Sequence, residues 1–152
     1  MIKFIVIKEP HPMIKNIKSV FLSPEFYEIY APCMFEPTYE KFQAKAERFI
    51  SDPSVSVLAY FEGERALGVI AAEESDEAVE ILGIAVEESS RHRGIGSALA
   101  NSVLRMFSKK LIAETDGDAV DFYRKNGFEV TEFTACYSGE ITRYRCEKKG
   151  KL

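Results

Sequence analysis

The sequence predicts an α/β (α+β) domain, a mixed sheet with helices on both faces, and three observations carry that prediction. VSVLAYFEGERALGVIAA holds two strand-like runs around Glu62-Gly63-Glu64-Arg65, a hairpin signal. AVEILGIAV is apolar on both faces, as a covered central strand must be, and leads through RHRGIG into a run with helical spacing at Ala98, Leu99, Val103, Leu104 and Phe107. FEVTEFTACY and ITRYRCE then end the chain as an antiparallel pair. Strand runs interleaved with helices call for a sheet whose faces the helices cover.

In chain order, MIKFIVI reads as a strand. From Met13 to Phe21, the apolar residues Met13, Ile14, Ile17, Val20 and Phe21 follow helical spacing between Pro12 and Ser23-Pro24. PEFYEIYAPCMFEP is aromatic, broken by prolines, and expected to be irregular. Thr38 caps a second helix with Tyr39, Phe42, Ala46, Phe49 and Ile50 on one face, ended by Asp52-Pro53. After the hairpin and the central strand, LIAET is another short strand. Asp118 to Asn126 is a helix stopped by Gly127 in the left-handed position. The expected order is β-α-α-β-β-β-α-β-α-β-β.

Composition narrows the function classes. A chain of 152 residues, 46% hydrophobic and 29% charged, suits one globular domain over 1–152. A net charge of -4 and a pI near 5.3 argue against a nucleic-acid partner. The apolar core of MIKFIVIKEP is too short for a signal peptide or a membrane span, so a cytoplasmic protein without membrane association is expected. Cys33, Cys136 and Cys146 lack C-x-x-C spacing; they read as reduced thiols, with no metal site expected. A homodimer is left open.

Gly94 and Gly96 lie between a buried strand and a helix start, flanked by Arg91 and Arg93. Such a place suits a tight turn, close packing, or an anion held by free N–H groups and the helix dipole. The run is no P-loop, which needs G-x-x-x-x-G-K-[ST]. It is no dinucleotide fingerprint either, since Leu99 stands where a third glycine would be.

The pattern R-x-x-G-x-G at Arg91, Gly94 and Gly96, after AVEILGIAVEESS and before SALANSVL, resembles the acetyl-CoA-binding motif of the GNAT superfamily of N-acetyltransferases. DAVDFYRKNGFEV resembles that family's A-x-x-F-Y-x-x-x-G-F segment, and ALGVI in the hairpin is a weaker match. The resemblance implies a sheet splayed at its centre and acetyl transfer from acetyl-CoA to a small-molecule or peptide amine by direct attack. It implies that the amides from Arg93 to Ala98 (Arg93, Gly94, Ile95, Gly96, Ser97, Ala98) cradle a pyrophosphate. The backbone of Ile84, Ala85 and Val86 would take the pantetheine arm, with Arg91, His92, Asp118, Phe122 and Lys125 completing the cofactor set. Arg91, Arg93 and Lys125 read equally as solvated surface charge, and Gly83 as a bulge or as close packing against a helix.

A neutral amine is needed for attack, so a base must take a proton and an acid must give one to the departing thiolate. Glu80 interrupts an apolar strand, sharing a face with Leu82 and Ile84, and matches a glutamate of the histone-acetylating branch of the family. Glu114 is its rival. Tyr123 matches the family's common general acid, or else is a core tyrosine. Asp116 stands where the family often has asparagine, with Asp118 as the expected helix cap. Tyr27, Tyr30, Phe35 and Tyr137 are the expected acceptor-binding aromatics. No cysteine sits in a motif with a histidine, which argues against an acyl-cysteine route. The rival from another class is an acetyl-CoA-sensing module without turnover, which would dispense with Glu80 and Tyr123.

Overall fold

A computed structural model describes residues 13–136 and 139–150. The expected strand MIKFIVI and Tyr137 lie outside these residues. The order of elements is β1 (Met13–Asn16), α1 (Pro24–Tyr30), α2 (Tyr39–Ser51), β2 (Val55–Glu62), β3 (Arg65–Glu74), β4 (Ala78–Val86), α3 (Ile95–Phe107), β5 (Lys110–Thr115), α4 (Val120–Lys125), β6 (Glu129–Cys136) and β7 (Glu140–Lys148). The strands form one seven-stranded sheet in the order β1-β2-β3-β4-β5-β7-β6. Only β4 and β5 run parallel among the paired strands, joined by the α3 crossover.

Two segments differ from their sequence reading. Met13–Phe21 is not a helix: Met13 to Asn16 pair antiparallel with Phe61 to Leu58, and a 3-10 turn follows at Lys18–Val20. Its apolar spacing suits a helix, yet only Ile17 and Phe21 are buried, while Met13 and Val20 are half-exposed. The open edge of β2 takes the backbone instead, and such ladder bonds are decided by tertiary neighbours. PEFYEIYAPCMFEP is more regular than expected. Pro24 occupies the first helical turn, where its missing N–H is no loss, and Phe26, Ile29 and Tyr30 are buried at helical spacing. A 3-10 turn at Ala31–Cys33 ends the segment.

The core divides into two layers. On one face Phe21, after the 3-10 turn, with Phe26 and Tyr30 of α1 and Phe42 and Phe49 of α2, covers Val57, Ala59, Val69 and Ala71 of the sheet. On the other, Leu99, Val103 and Leu104 of α3 with Val120 and Tyr123 of α4 cover Ile70, Val79, Ile81, Leu111 and Cys146. The Thr38 cap is present: its Oγ1 accepts from the Lys41 amide at 3.1 Å. Cys136 and Cys146 sit opposite Glu140 and Val130 respectively, well apart on the β6–β7 ladder, and both are free.

Candidate active site

The central strands part company. Along β3, β4 is paired from Glu74↔Val79 to Gly68↔Val86, but along β5 only Ala78, Val79 and Glu80 find partners. Beyond Glu80 the strands diverge into a wedge, and the edge of β4 from Ile81 to Val86 has no strand beside it. Its outward backbone groups are open to another partner. The register slips between Ala72↔Ile81 and Ala71↔Gly83, making Leu82 the extra residue of a bulge, which bends and twists the strand. Gly83 also answers a packing demand: a Cβ there would stand 2.0 Å from the Tyr30 hydroxyl oxygen.

The bulge corrects the facing expected for Glu80. Leu82 packs on the α1/α2 side with Ala85, whereas Ile84 and Val86 pack on the α3 side. Glu80 pairs with Glu73 on the α1/α2 side, so it shares that face with Leu82 but not with Ile84. The extra residue shifts the alternation of side chains by one.

The N-terminus of α3 opens beside the wedge. Gly94 is its N-cap, left-handed at φ 81, with no side-chain cap bond; His92 is left-handed too, at φ 65. The first helical bond runs from the Ala98 amide to the Gly94 carbonyl at 3.0 Å, so the amides of Ile95, Gly96 and Ser97 precede the ladder and find no acceptor among the described residues. These amides and the helix dipole favour an anion. The two glycines differ in purpose. A Cβ on Gly94 would meet nothing within 4 Å, but one on Gly96 would stand 2.8 Å from the Phe122 ring. Gly94 serves the backbone turn and open approach; Gly96 lets α4 pack against the start of α3.

The nearby cations are partly engaged. Arg93 pairs with Glu62 of the hairpin at 2.6 Å. Arg91 donates from Nε to the Val86 carbonyl at 3.1 Å, on the strand edge expected to receive the pantetheine arm. Lys125 is exposed and enters no ion pair among the described residues. Asp116, rather than Asp118, caps the approach to α4. Its Oδ1 accepts from the amides of Asp118 and Ala119 at 3.0 and 3.3 Å, an Asx-type turn that delays the helix to Val120 and leaves Asp118 exposed.

Glu80 lies where the wedge closes, and its carboxyl is raised above its ordinary value. Burial is the main cause, followed by the Glu114 and Glu73 carboxylates, with Arg145 opposing. Tyr123 is buried edge-on against Phe128, at 5.1 Å between ring centroids. Burial raises its hydroxyl well above the usual phenol value, so it stays protonated at neutral pH, and the Cys146 and Cys33 thiols add to the effect. Tyr30 is raised by burial, then by Cys33, with a smaller push from Tyr123. The Cys33 thiol thus acts on both the Tyr30 and the Tyr123 hydroxyls, although the three groups come from different elements. Cys33 donates from Sγ to the Tyr30 carbonyl at 3.1 Å. Although Cys33 as a residue is exposed, its thiol faces packed protein, which pushes it up to about 11.

The sequence profile of the Acetyltransferase (GNAT) family matches residues 23–128. This chain belongs to the GNAT acetyltransferase family. Solved structures agree on the fold. The ribosomal-protein-S18-alanine N-acetyltransferase of Escherichia coli is 14% identical, with a TM-score of 0.71, over 93% of this chain and 95% of that one. A GNAT acetyltransferase of Elizabethkingia anophelis with acetyl-CoA bound is 20% identical (TM-score 0.67, over 91% and 97%). The PaiA N-acetyltransferase of Thermoplasma acidophilum in complex with coenzyme A is 18% identical (TM-score 0.69, over 92% and 99%). No curated protein sequence matches the chain.

On the acceptor side of this GNAT chain, the expected aromatics are distributed unevenly. Tyr27 packs edge-on against Tyr39 at 5.4 Å within the first core layer, Tyr30 reaches the strand at Gly83, and Phe35 is 86% exposed. A cavity of about 350 Å³ opens on the same face as Glu80, lined by Arg48, Phe49, Asp52, Val55, Glu73 and Leu82. Sequence reasoning did not single out Arg48, Asp52 or the Cys33 thiol. They are far from the motifs in sequence, and only the fold places them there. Among the described residues, no helix is long and apolar enough to cross a membrane, and no group of three or more His, Cys, Asp or Glu is arranged to hold a metal ion.

Proposed function

We propose that the protein transfers the acetyl group of acetyl-CoA to an amine by direct attack in a ternary complex. One observation carries this reading: an unpaired β4 edge opens beside an α3 N-terminus with free amides, in a chain of the GNAT family. Acetyl-CoA supplies the thioester that the amine attacks, and coenzyme A leaves as a thiolate. The free amides of Ile95, Gly96 and Ser97 hold the pyrophosphate, with open approach at Gly94; the Ala98 amide, expected to join the cradle, is spent on the Gly94 carbonyl. The β4 edge at Ile84, Ala85 and Val86 takes the pantetheine arm, for which Arg91 must release the Val86 carbonyl.

Glu80 takes the proton of the attacking amine, directly or through a water. Its carboxyl, raised by burial and by the Glu114 and Glu73 carboxylates, is a stronger base than that of a solvated glutamate. Tyr123, kept protonated by burial, gives a proton to the thiolate from the α3/α4 side of the wedge. Base and acid then stand on opposite faces of the sheet, and the proton is taken and returned across the wedge. Phe122 acts through packing, setting α4 against α3 at Gly96.

Two measurements test the reading. Acetyl-CoA at a hundredfold excess over its dissociation constant should stabilise the protein by about 2.7 kcal/mol. Gly94→Glu, which places a carboxylate in the cradle, should abolish that shift in a thermal unfolding assay; an undiminished shift refutes the cradle. Tyr123→Phe should fold, bind acetyl-CoA and turn over about 100-fold more slowly in a screen of amines, amino acids, polyamines, aminoglycosides and peptides. Unchanged turnover would return Tyr123 to packing alone, and binding without transfer to any acceptor would favour a sensing module.

A further inference from the structure

The face that carries Glu80 continues past the wedge onto β5, β7 and β6, where the first two helices no longer cover it. The next row holds Glu114 opposite Arg145, and Arg145 is tied to Glu147 at 3.0 Å. Two residues further along β7, opposite Phe133 and past the last β5 pairing at Thr115↔Tyr144, stands Arg143. It is half-buried, its Nε is shut off from solvent, and that nitrogen has no hydrogen-bond partner among the described residues. Its guanidinium enters no ion pair there either. A buried guanidinium donor without an acceptor is costly, and such groups call for an explanation. The planar fork matches a carboxylate in a way an ammonium does not.

Charge along this face is therefore graded. Carboxylates Glu73, Glu80 and Glu114 gather at the wedge, and a free guanidinium lies beyond them, with about 7 Å for each two-residue step along a strand. We propose that the acceptor is an amine that also carries a carboxylate, its amino end among Glu73, Glu80 and Glu114 and its carboxylate on Arg143. This rests on the amine-acetylation reading and narrows it to a zwitterionic acceptor class. Arg143 is then a specificity residue, remote from the reacting atoms.

The test measures binding, so that it remains readable whether or not transfer occurs. Protein saturated with coenzyme A is titrated calorimetrically with ω-amino acids of increasing chain length and with their carboxamides. At least one acid should bind about tenfold or more tightly than its amide, the scale of one charge-assisted hydrogen bond. Arg143→Gln should remove that gap and leave the amides unaffected. Arg143→Lys, which keeps the charge but not the fork, should retain part of it and decides the matter if Arg143→Gln does not fold. The idea is overturned if no acid exceeds its amide by more than about twofold, or if the gap survives both substitutions. A gap that vanishes with Arg143, without acetylation of any probe, would uphold the carboxylate site and refute the transfer reading instead.

Discussion

The two halves of the sheet are built differently on the face that carries Glu80. Under α1 and α2, Val55, Val57 and Ala59 of β2 and Val69 and Ala71 of β3 are buried, and Phe42 is sealed with Phe21 and Tyr27 rings at 5.1 and 5.4 Å. On β6 and β7 the same face is open: β6 alternates exposed and half-buried residues, and Ile141 is 45% exposed. The wedge lies on the border between the halves. The covered half supplies rigidity, and the open half supplies access. A cleft for proton transfer needs both, because burial raises a carboxylate's proton affinity and only incomplete burial lets a substrate reach it.

Substitutions can break that comparison. The largest expected effect is Phe42→Ala, which leaves a ring-sized cavity in the covered half and should cost about 3–5 kcal/mol in urea unfolding. The matched change in the open half, Ile141→Ala, should stay within about 0.5 kcal/mol. Equal losses would mean that an unseen partner covers the open half. A smaller effect is expected at the border itself. Gly83→Ala drives a methyl against Tyr30 and should cost about 1–3 kcal/mol by overpacking. Adding Tyr30→Phe removes the nearest atom and should recover part of that loss. Additive losses in the double variant would show that the bulge, and not Tyr30, demands the glycine.

The smallest effect sharpens the comparison through pH. The Glu80 carboxyl is raised in the fold, so the folded state holds its proton more firmly than the unfolded chain does. Ionised Glu80 therefore opposes folding. The penalty is absent at pH below the unfolded-chain value, grows as pH rises through the raised folded value, and persists above it. Glu80→Gln should match the native protein at pH 3 and exceed it at pH 7, by less than about 1 kcal/mol because the group is only half-buried. In the same variant, turnover should fall most at neutral pH and recover as alkali deprotonates the amine, while Glu114→Gln shows neither change. A native-like pH profile for Glu80→Gln would remove it from proton transfer.

Much of this was legible in the residues because it is local. The hairpin at Gly63, the Thr38 cap, the amphipathic α3 and the left-handed Gly127 depend on neighbours a few positions away, and the two GNAT motifs lie within contiguous stretches. The errors fell where local signals were ambiguous. Helical spacing from Met13 to Phe21 gave way to the edge of β2, and of the prolines in the aromatic stretch Pro24 starts α1 and Pro32 lies in the 3-10 turn that follows it.

By itself the sequence determined most of the elements from Thr38 onward, the family and the candidates Glu80, with its rival Glu114, and Tyr123. Hydrophobic period, capping chemistry and motif spacing are properties of short windows. Only the tertiary structure decided which face each residue serves. One extra residue at Leu82 turned Ile84 away from Glu80. Phe122 claimed Gly96, and Tyr30 claimed the space at Gly83. Pairing with only three residues of β5 opened the wedge. Those outcomes depend on strand register and close packing between segments distant in the chain, and a one-residue shift in register exchanges the faces without changing the hydrophobic pattern by which the strand is recognised.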